Sequence, residues 1–409
     1  MKKLLFLILV SLLSSMVNEA SACTTFIISG KYTPDGRPIL YKHRDTGTLD
    51  NALIYFTDGK YPYIGLVDAT AEGKSMVWGG YNSAGFAIMN SAAYNNNIGD
   101  TTKLLDHEGI LMKMALQQCA TLADFEKLLT DLPKPLGVDA NFGVIDAAGG
   151  AAYYETGQQG FKKIDANDPA IAPFGYVIRT NHSFTGVIDK GSGYIRYATA
   201  SNALYMAAAM NKLEPQYLIN NVSRNLTHSL TKVNLREGIP ADNRQPAFRS
   251  FDDFIPRNST AAVIMVVGVK NGEDAANTMM WTVLGFPLVT VVVPVWLSAG
   301  KKLPRLMSMK ADFHAPLCDA AMKLKSLCFP IKRGSGYKYI NLAEVINAER
   351  TGIMQLIEPV ENEIFLKTND LVAHMPEGRN RNIAIQEHYR WLDSYITESY
   401  FILFGINVE

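Results

Sequence analysis

The junction between residues 22 and 23 constrains this chain more than any other feature. Lys2-Lys3, an apolar run from Leu4 to Leu13 and a polar stretch closing on Ala20-Ser21-Ala22 follow the order of a secretory leader with a small-residue cleavage site. Directly after it, Thr24-Thr25-Phe26-Ile27-Ile28 reads as a buried β-strand. Removal of residues 1–22 is therefore expected to make Cys23 the first residue of the mature chain and to bury it at once. An exported protein, periplasmic or extracellular, follows from the same reading. The leader run is too short to span a bilayer, and the stretch Pro287 to Trp296 is also short and is interrupted by Pro294, so no stable membrane insertion is expected.

A cysteine in this position has three readings: a lipid-modified anchor, a structural cysteine beside an arbitrary cleavage site, or a nucleophile. Ala20 stands where a lipoprotein leader carries a larger aliphatic residue, and the strand begins without the polar tether of an anchored protein. The catalytic reading has a direct physical basis. An α-amine titrates near pH ~8, so it can take the proton of the thiol on the same residue at neutral pH. An amide nitrogen is not a base, so the bond before Cys23 must be cut.

The chain carries 39 basic and 39 acidic residues in 409, which leaves no global field to attract nucleic acid. Its 48% apolar content is enough for a large core. Phosphate-loop, Gly-x-Ser-x-Gly and His-Glu-x-x-His motifs do not occur, and Cys and His show no zinc-ligand spacing. Neither cofactor nor metal is expected. Cys119 reads as a small buried hydrophobe, while a disulfide between Cys318 and Cys328 is left open.

The periodicity predicts a β-hairpin over Thr24 to Tyr41, turning at Pro34-Asp35-Gly36. Further strands are expected at 52–57, 75–78, 85–91, 141–146, 151–155, 261–269, 278–284 and 288–295. Helices are expected at 105–118, from Thr121 to Pro133 with a capping box of Thr121 and Asp124, after Tyr194, at 215–222 and at 379–401. This is an α+β chain of two antiparallel sheets covered by helices. A catalytic domain over 23–297 and a helical extension over 298–409, packed on it, complete the organisation.

The stretch Cys23-Thr-Thr-Phe-Ile-Ile-Ser-Gly through Tyr41-Lys-His-Arg-Asp45 resembles the N-terminus of the N-terminal-nucleophile cysteine hydrolases. That group includes choloylglycine hydrolases, penicillin V acylases and acyl-CoA:6-aminopenicillanate acyltransferase-like enzymes. Gly79 to Phe86, Asn141 to Asp146, Arg179-Thr-Asn-His182 and Tyr194-Ile-Arg-Tyr197 continue the resemblance in order, to about Pro294. The resemblance implies a four-layer αββα sandwich and a set of roles. Cys23 attacks an amide carbonyl; Asp45 accepts from and orients its α-amine; Asn181 donates to the oxyanion; Arg196 supplies positive charge near the thiolate. Asn90 is a second oxyanion or substrate contact. A dimer or tetramer is also implied.

One departure concerns the arginine that the family carries three residues before its aspartate. Here Lys42 holds that place and Arg44 directly precedes Asp45. Strand alternation puts Lys42 and Arg44 on one face and Tyr41, His43 and Asp45 on the other, so a bulge or strand end is needed to bring Lys42 and Asp45 together. The expected activity is hydrolysis of linear, non-peptide C–N amide bonds in small acyl amides, through an acyl-cysteine. An acyltransferase is the near alternative, and a lipid-anchored envelope binding protein the distant one.

Overall fold

The computed structural model describes residues 22–409. The expected leader lies outside the described residues except for Ala22, which is already the first residue of strand β1 (Ala22–Ile28). Strand β1 pairs with β2 (Ile39–Asp45) in an antiparallel register that runs unbroken from Ala22 opposite Asp45 to Ile28 opposite Ile39. Thr33 Oγ1 donates to the Arg37 carbonyl across the turn, and Gly36 takes φ +76°, a conformation that a side chain would disfavour.

The remaining strands are β3 (Asn51–Phe56), β4 (Tyr63–Asp68), β5 (Gly79–Asn82), β6 (Ala87–Ala92), β7 (Ala140–Ile145), β8 (Ala151–Thr156), β9 (Phe161–Asp165), β10 (Tyr176–Arg179), β11 (Phe248–Ser250), β12 (Thr260–Val267), β13 (Met279–Leu284), β14 (Val293–Val295) and β15 (Tyr339–Asn341). One sheet has the order β10-β1-β2-β12-β13-β14, and a seven-stranded meander runs β3 to β9 in chain order. Strands β11 and β15 form a separate pair. The two large sheets stack face to face, with β1 and β2 over β6 and β7. Gly143 permits the close approach, since a Cβ there would stand 2.2 Å from Met89 Cε and 3.1 Å from Ile27 Cδ1.

Helices α1 (Glu108–Gln118) and α2 (Leu122–Asp131) cover the outer face of the meander, where Phe125 packs edge-on against Phe142 and Tyr154. The capping box forms as expected: Asp124 N donates to Thr121 Oγ1, and Thr121 N to Asp124 Oδ2. Helix α3 (Tyr194–Ala209) covers β1 and β10 on the other side. Together these make the αββα layering. The C-terminal region adds α4 (Pro316–Cys328), α5 (Ile353–Ala373) and α6 (Gly378–Phe404).

Two expectations are displaced. The strand expected at 75–78 becomes a short turn and an extended lead into β5, because Val77 N donates to the α1 carbonyl of Gly109. Within 288–295 only Val293–Val295 is a strand. Side chains of the C-terminal helices take the backbone donors around it: Val291 N donates to Tyr400 OH, Val292 N to Glu361 Oε1, and Trp296 N to Tyr389 OH. An apolar run can therefore be core without being sheet.

Cys318 and Cys328 do not pair. Both lie on α4, ten residues apart, and helical rise separates them by about 15 Å, far beyond disulfide reach. Cys119 is a buried free thiol, pushed up to about 12 by burial.

Candidate active site

Directly opposed residues of an antiparallel pair point to the same face, and the Cys23–Arg44 pairing fixes the geometry of the site. Cys23, Lys42 and Arg44 face the space between the sheets, while Asp45 and His43 face the helices. Alternation holds throughout β2, and the irregularity lies in its neighbour instead, between Thr260 and Ala262 of β12. Lys42 and Asp45 are therefore not brought together; they serve opposite faces of one strand.

On the inner face lies a cavity of about 490 Å³ lined by Cys23, Lys42, Arg44, Trp78, Asn90, Tyr94, Asp106, Glu108 and Asp139, among others. The Lys42 ammonium donates to the Trp78 carbonyl at 2.7 Å and to Asn90 Oδ1 at 2.6 Å. Burial pulls its pKa down to about 8, and the Cys23 sulfur is the leading charge that opposes this. Arg44 is differently engaged. It donates to Asp68 Oδ1 at 2.9 Å and Asn51 Oδ1 at 2.5 Å, and its guanidinium lies over the Trp78 ring. Trp78 Nε1 closes the set on Asp68 Oδ2. Lys42 is thus the cation turned toward Cys23, and Arg44 is a braced wall beside it.

The Cys23 backbone is clamped at both ends. Its nitrogen, here the amide joined to Ala22, donates to Asn181 Oδ1 at 3.0 Å, and its carbonyl accepts from Arg196 Nη1 at 2.5 Å. Arg196 Nη2 also donates to Asn181 Oδ1, and Nη1 to Thr24 Oγ1. Asn181 Nδ2 in turn donates to the Ala92 carbonyl. In this geometry Asn181 presents its oxygen to Cys23, and Arg196 reaches it from the helix side rather than through the cavity. Burial lowers the Arg196 pKa to about 10. The chain makes room for this arginine at Gly193, which takes φ +83° and where a Cβ would stand 2.6 Å from Arg196 Nη2.

Asp45 stands opposite Ala22, one residue from Cys23. Its carboxylate accepts from Arg257 Nε at 2.8 Å and Thr260 Oγ1 at 2.7 Å. Arg257 escapes sequence reasoning: it sits in the loop before β12, and no spacing links it to Asp45. His182 stacks on Tyr194 and lies outside the cavity, in keeping with a structural role.

The chain is of the N-terminal-nucleophile, acyl-transferase-like class. It belongs to the acyl-coenzyme A:6-aminopenicillanic acid acyl-transferase family, which residues 33–238 match. Solved structures with distant similarity include penicillin V acylase from Agrobacterium tumefaciens, 15% identical over 68% of this chain and 86% of that chain, with a TM-score of 0.40. A Caenorhabditis elegans ortholog of N-acylethanolamine-hydrolyzing acid amidase is 15% identical over 62% of this chain and 96% of its own, with a TM-score of 0.41. Conjugated bile acid hydrolase from Clostridium perfringens is 10% identical over 67% and 92%, with a TM-score of 0.37. No curated protein sequence matches the chain.

Proposed function

We propose that this chain is an exported hydrolase of linear C–N amide bonds, active once residues 1–22 are removed and Cys23 carries a free α-amine. The observation that carries the reading is Cys23 itself, the second residue of β1, lining a cavity with its own backbone clamped by Asn181 and Arg196. The α-amine takes the thiol proton, and the thiolate adds to the substrate carbonyl. Asn90 is the better oxyanion donor: Lys42 holds its oxygen, which leaves Nδ2 to face the cavity. Collapse transfers the proton from the ammonium to the departing amine and leaves a thioester on Cys23. Water, deprotonated by the same α-amine, then releases the acid. Asn181 Oδ1 and the Asp45 carboxylate are the acceptors that would hold and orient the new amine.

The family match equally supports acyl transfer, in which an amine or thiol replaces water in the second half-reaction. The deciding experiment uses chain expressed with its leader and purified from the exported fraction. Mass spectrometry should find an unmodified N-terminal Cys23, and Cys23→Ala should fold normally yet release no amine from acyl amides. A lipidated or extended terminus, or full activity in Cys23→Ala, ends the proposal. Acyl product formed in the presence of an added acceptor, in place of free acid, moves the assignment to a transferase.

A further inference from the structure

The cavity contains a carboxyl group that the proposed chemistry does not use. Glu108, the first residue of α1, is only 3% exposed. Its Oε1 accepts from Asp139 N at 3.1 Å, whereas Oε2 is buried with no donor among the described residues. Its side-chain neighbour there is the Asp106 carboxyl, another acceptor; the two hydrogen-bond each other only while one of them holds a proton, and repel when both are ionised. Burial together with Asp106 drives the Glu108 pKa up to about 9, even though it stands at the end of a helix that favours an anion. A buried acceptor left without a donor is destabilising, which the protein by itself relieves by holding a proton there.

The charges around it set what could replace that proton. Of the two cations lining the cavity, Arg44 is neutralised by Asp68, and Lys42 is committed to Asn90 and Trp78 beside the thiol. Asp139, also in the wall, already accepts from Asn96 N. Glu108 and Asp106 are thus left as a pair of acceptors facing a cavity large enough for a small amphipathic ligand. A hydroxyl supplies one hydrogen and a carboxylate adds a third negative group. Of these three groups, only an ammonium brings several donors together with the compensating charge.

We propose that the acyl amide taken by this cavity bears a protonated amine, which docks between the Glu108 and Asp106 carboxyl groups. The inference rests on the amide-hydrolase reading and names its substrate class.

The test uses matched amides of graded length that end in an ammonium, a hydroxyl or a carboxylate. In one arm the group is carried on the leaving amine, as in N-acetyl diaminoalkanes; in the other it is carried on the acyl chain, as in ω-aminoalkanoyl p-nitroanilides. In one arm the ammonium compound should exceed its hydroxyl match by about tenfold or more in kcat/KM, the yield of one charge-assisted hydrogen bond. Glu108→Gln and Asp106→Asn should each reduce that ratio severalfold. Asp106 takes φ +55°, which asparagine tolerates, so this second variant keeps the test open if the first fails to fold. Ratios near one in both arms, or a ratio that survives both substitutions, overturn the proposal. If no amide in either arm is cleaved, it is the hydrolase reading that fails. Calorimetry of the same ammonium compounds on Cys23→Ala then decides the docking separately: selective binding lost in Asp106→Asn sustains it, and absence of binding overturns it.

Discussion

The Lys42 ammonium meets Asn90 Oδ1 at 2.6 Å across the gap between the two sheets, and this contact orients the Asn90 amide. A lysine can only donate, so the oxygen must face it and the NH2 group must point elsewhere. Replacing Asn90 by Ala should lower kcat by about 10²–10³ with little change in KM, as loss of a preorganised oxyanion donor does. Steady-state kinetics on a small acyl amide checks this. A loss confined to KM would assign Asn90 to substrate binding instead.

Lys42 should also set an alkaline limit. With its pKa pulled down to about 8, the cation beside Cys23 is lost as pH rises through that value, while the α-amine must be neutral to act as base and is so only toward the same pH. Hydrolysis should therefore follow a narrow bell. Lys42→Arg keeps its charge at all accessible pH, so its descending limb should move to higher pH even if the maximum is lower. A descending limb unchanged in the arginine variant would show that another group causes it.

Arg224 and Glu361 join the segment before β11 to the C-terminal helix α5. Both are buried; Arg224 Nη2 donates to Glu361 Oε1 at 2.7 Å, and the same oxygen takes Val292 N. Glu361→Gln leaves a buried guanidinium without its counter-charge and should cost about 3–5 kcal/mol by denaturant unfolding. Its effect should appear in one cooperative transition for core and extension together. A separate, earlier transition for the helices would show that they fold as their own unit.

Acid should weaken the fold through buried imidazoles. Burial pulls the pKa values of His43 and His388 to about 4, below the ordinary 6.5. Between these values the unfolded chain binds more protons, so stability falls as pH drops from about 6.5 to about 4. His388 hydrogen-bonds Thr368 Oγ1 through Nε2, a contact that glutamine can preserve. His388→Gln should flatten part of the decline in Tm across that window; an unaltered slope would assign it to other groups.

The strands and helices carrying the site were legible because strong local patterns specify them. The Pro34-Asp35-Gly36 turn sets the β1–β2 hairpin, and the Thr121–Asp124 box starts α2. Strict alternation along β2 puts Lys42 and Asp45 on opposite faces; the bulge or strand end expected to bring them together does not occur in β2, and the two stay apart. The Asp45–Arg257 pair was hidden, since 212 residues separate its members and a bulge in β12 shapes their meeting. The orientation of Asn181 was equally hidden. A side-chain amide offers a donor and an acceptor, and only the placement of Arg196 and Ala92 decides which end meets Cys23. The backbone of 288–295 was misread because its hydrogen-bond partners are tyrosines and a glutamate from helices far along the chain.

Ala22 is 8% exposed and Cys23 4%, and both already belong to β1 with Asp45 and Arg44 across from them. A protease needs an extended, accessible segment on either side of the bond it cuts, and the closed hairpin offers none at this junction. For the proposed activation, timing therefore matters as much as recognition. The cut must fall on a chain still threading through a membrane, before β2 zips against β1, or be made from within by the Cys23 thiol. A chain that folds first, and does not cut itself, would keep its own catalyst locked behind an amide bond.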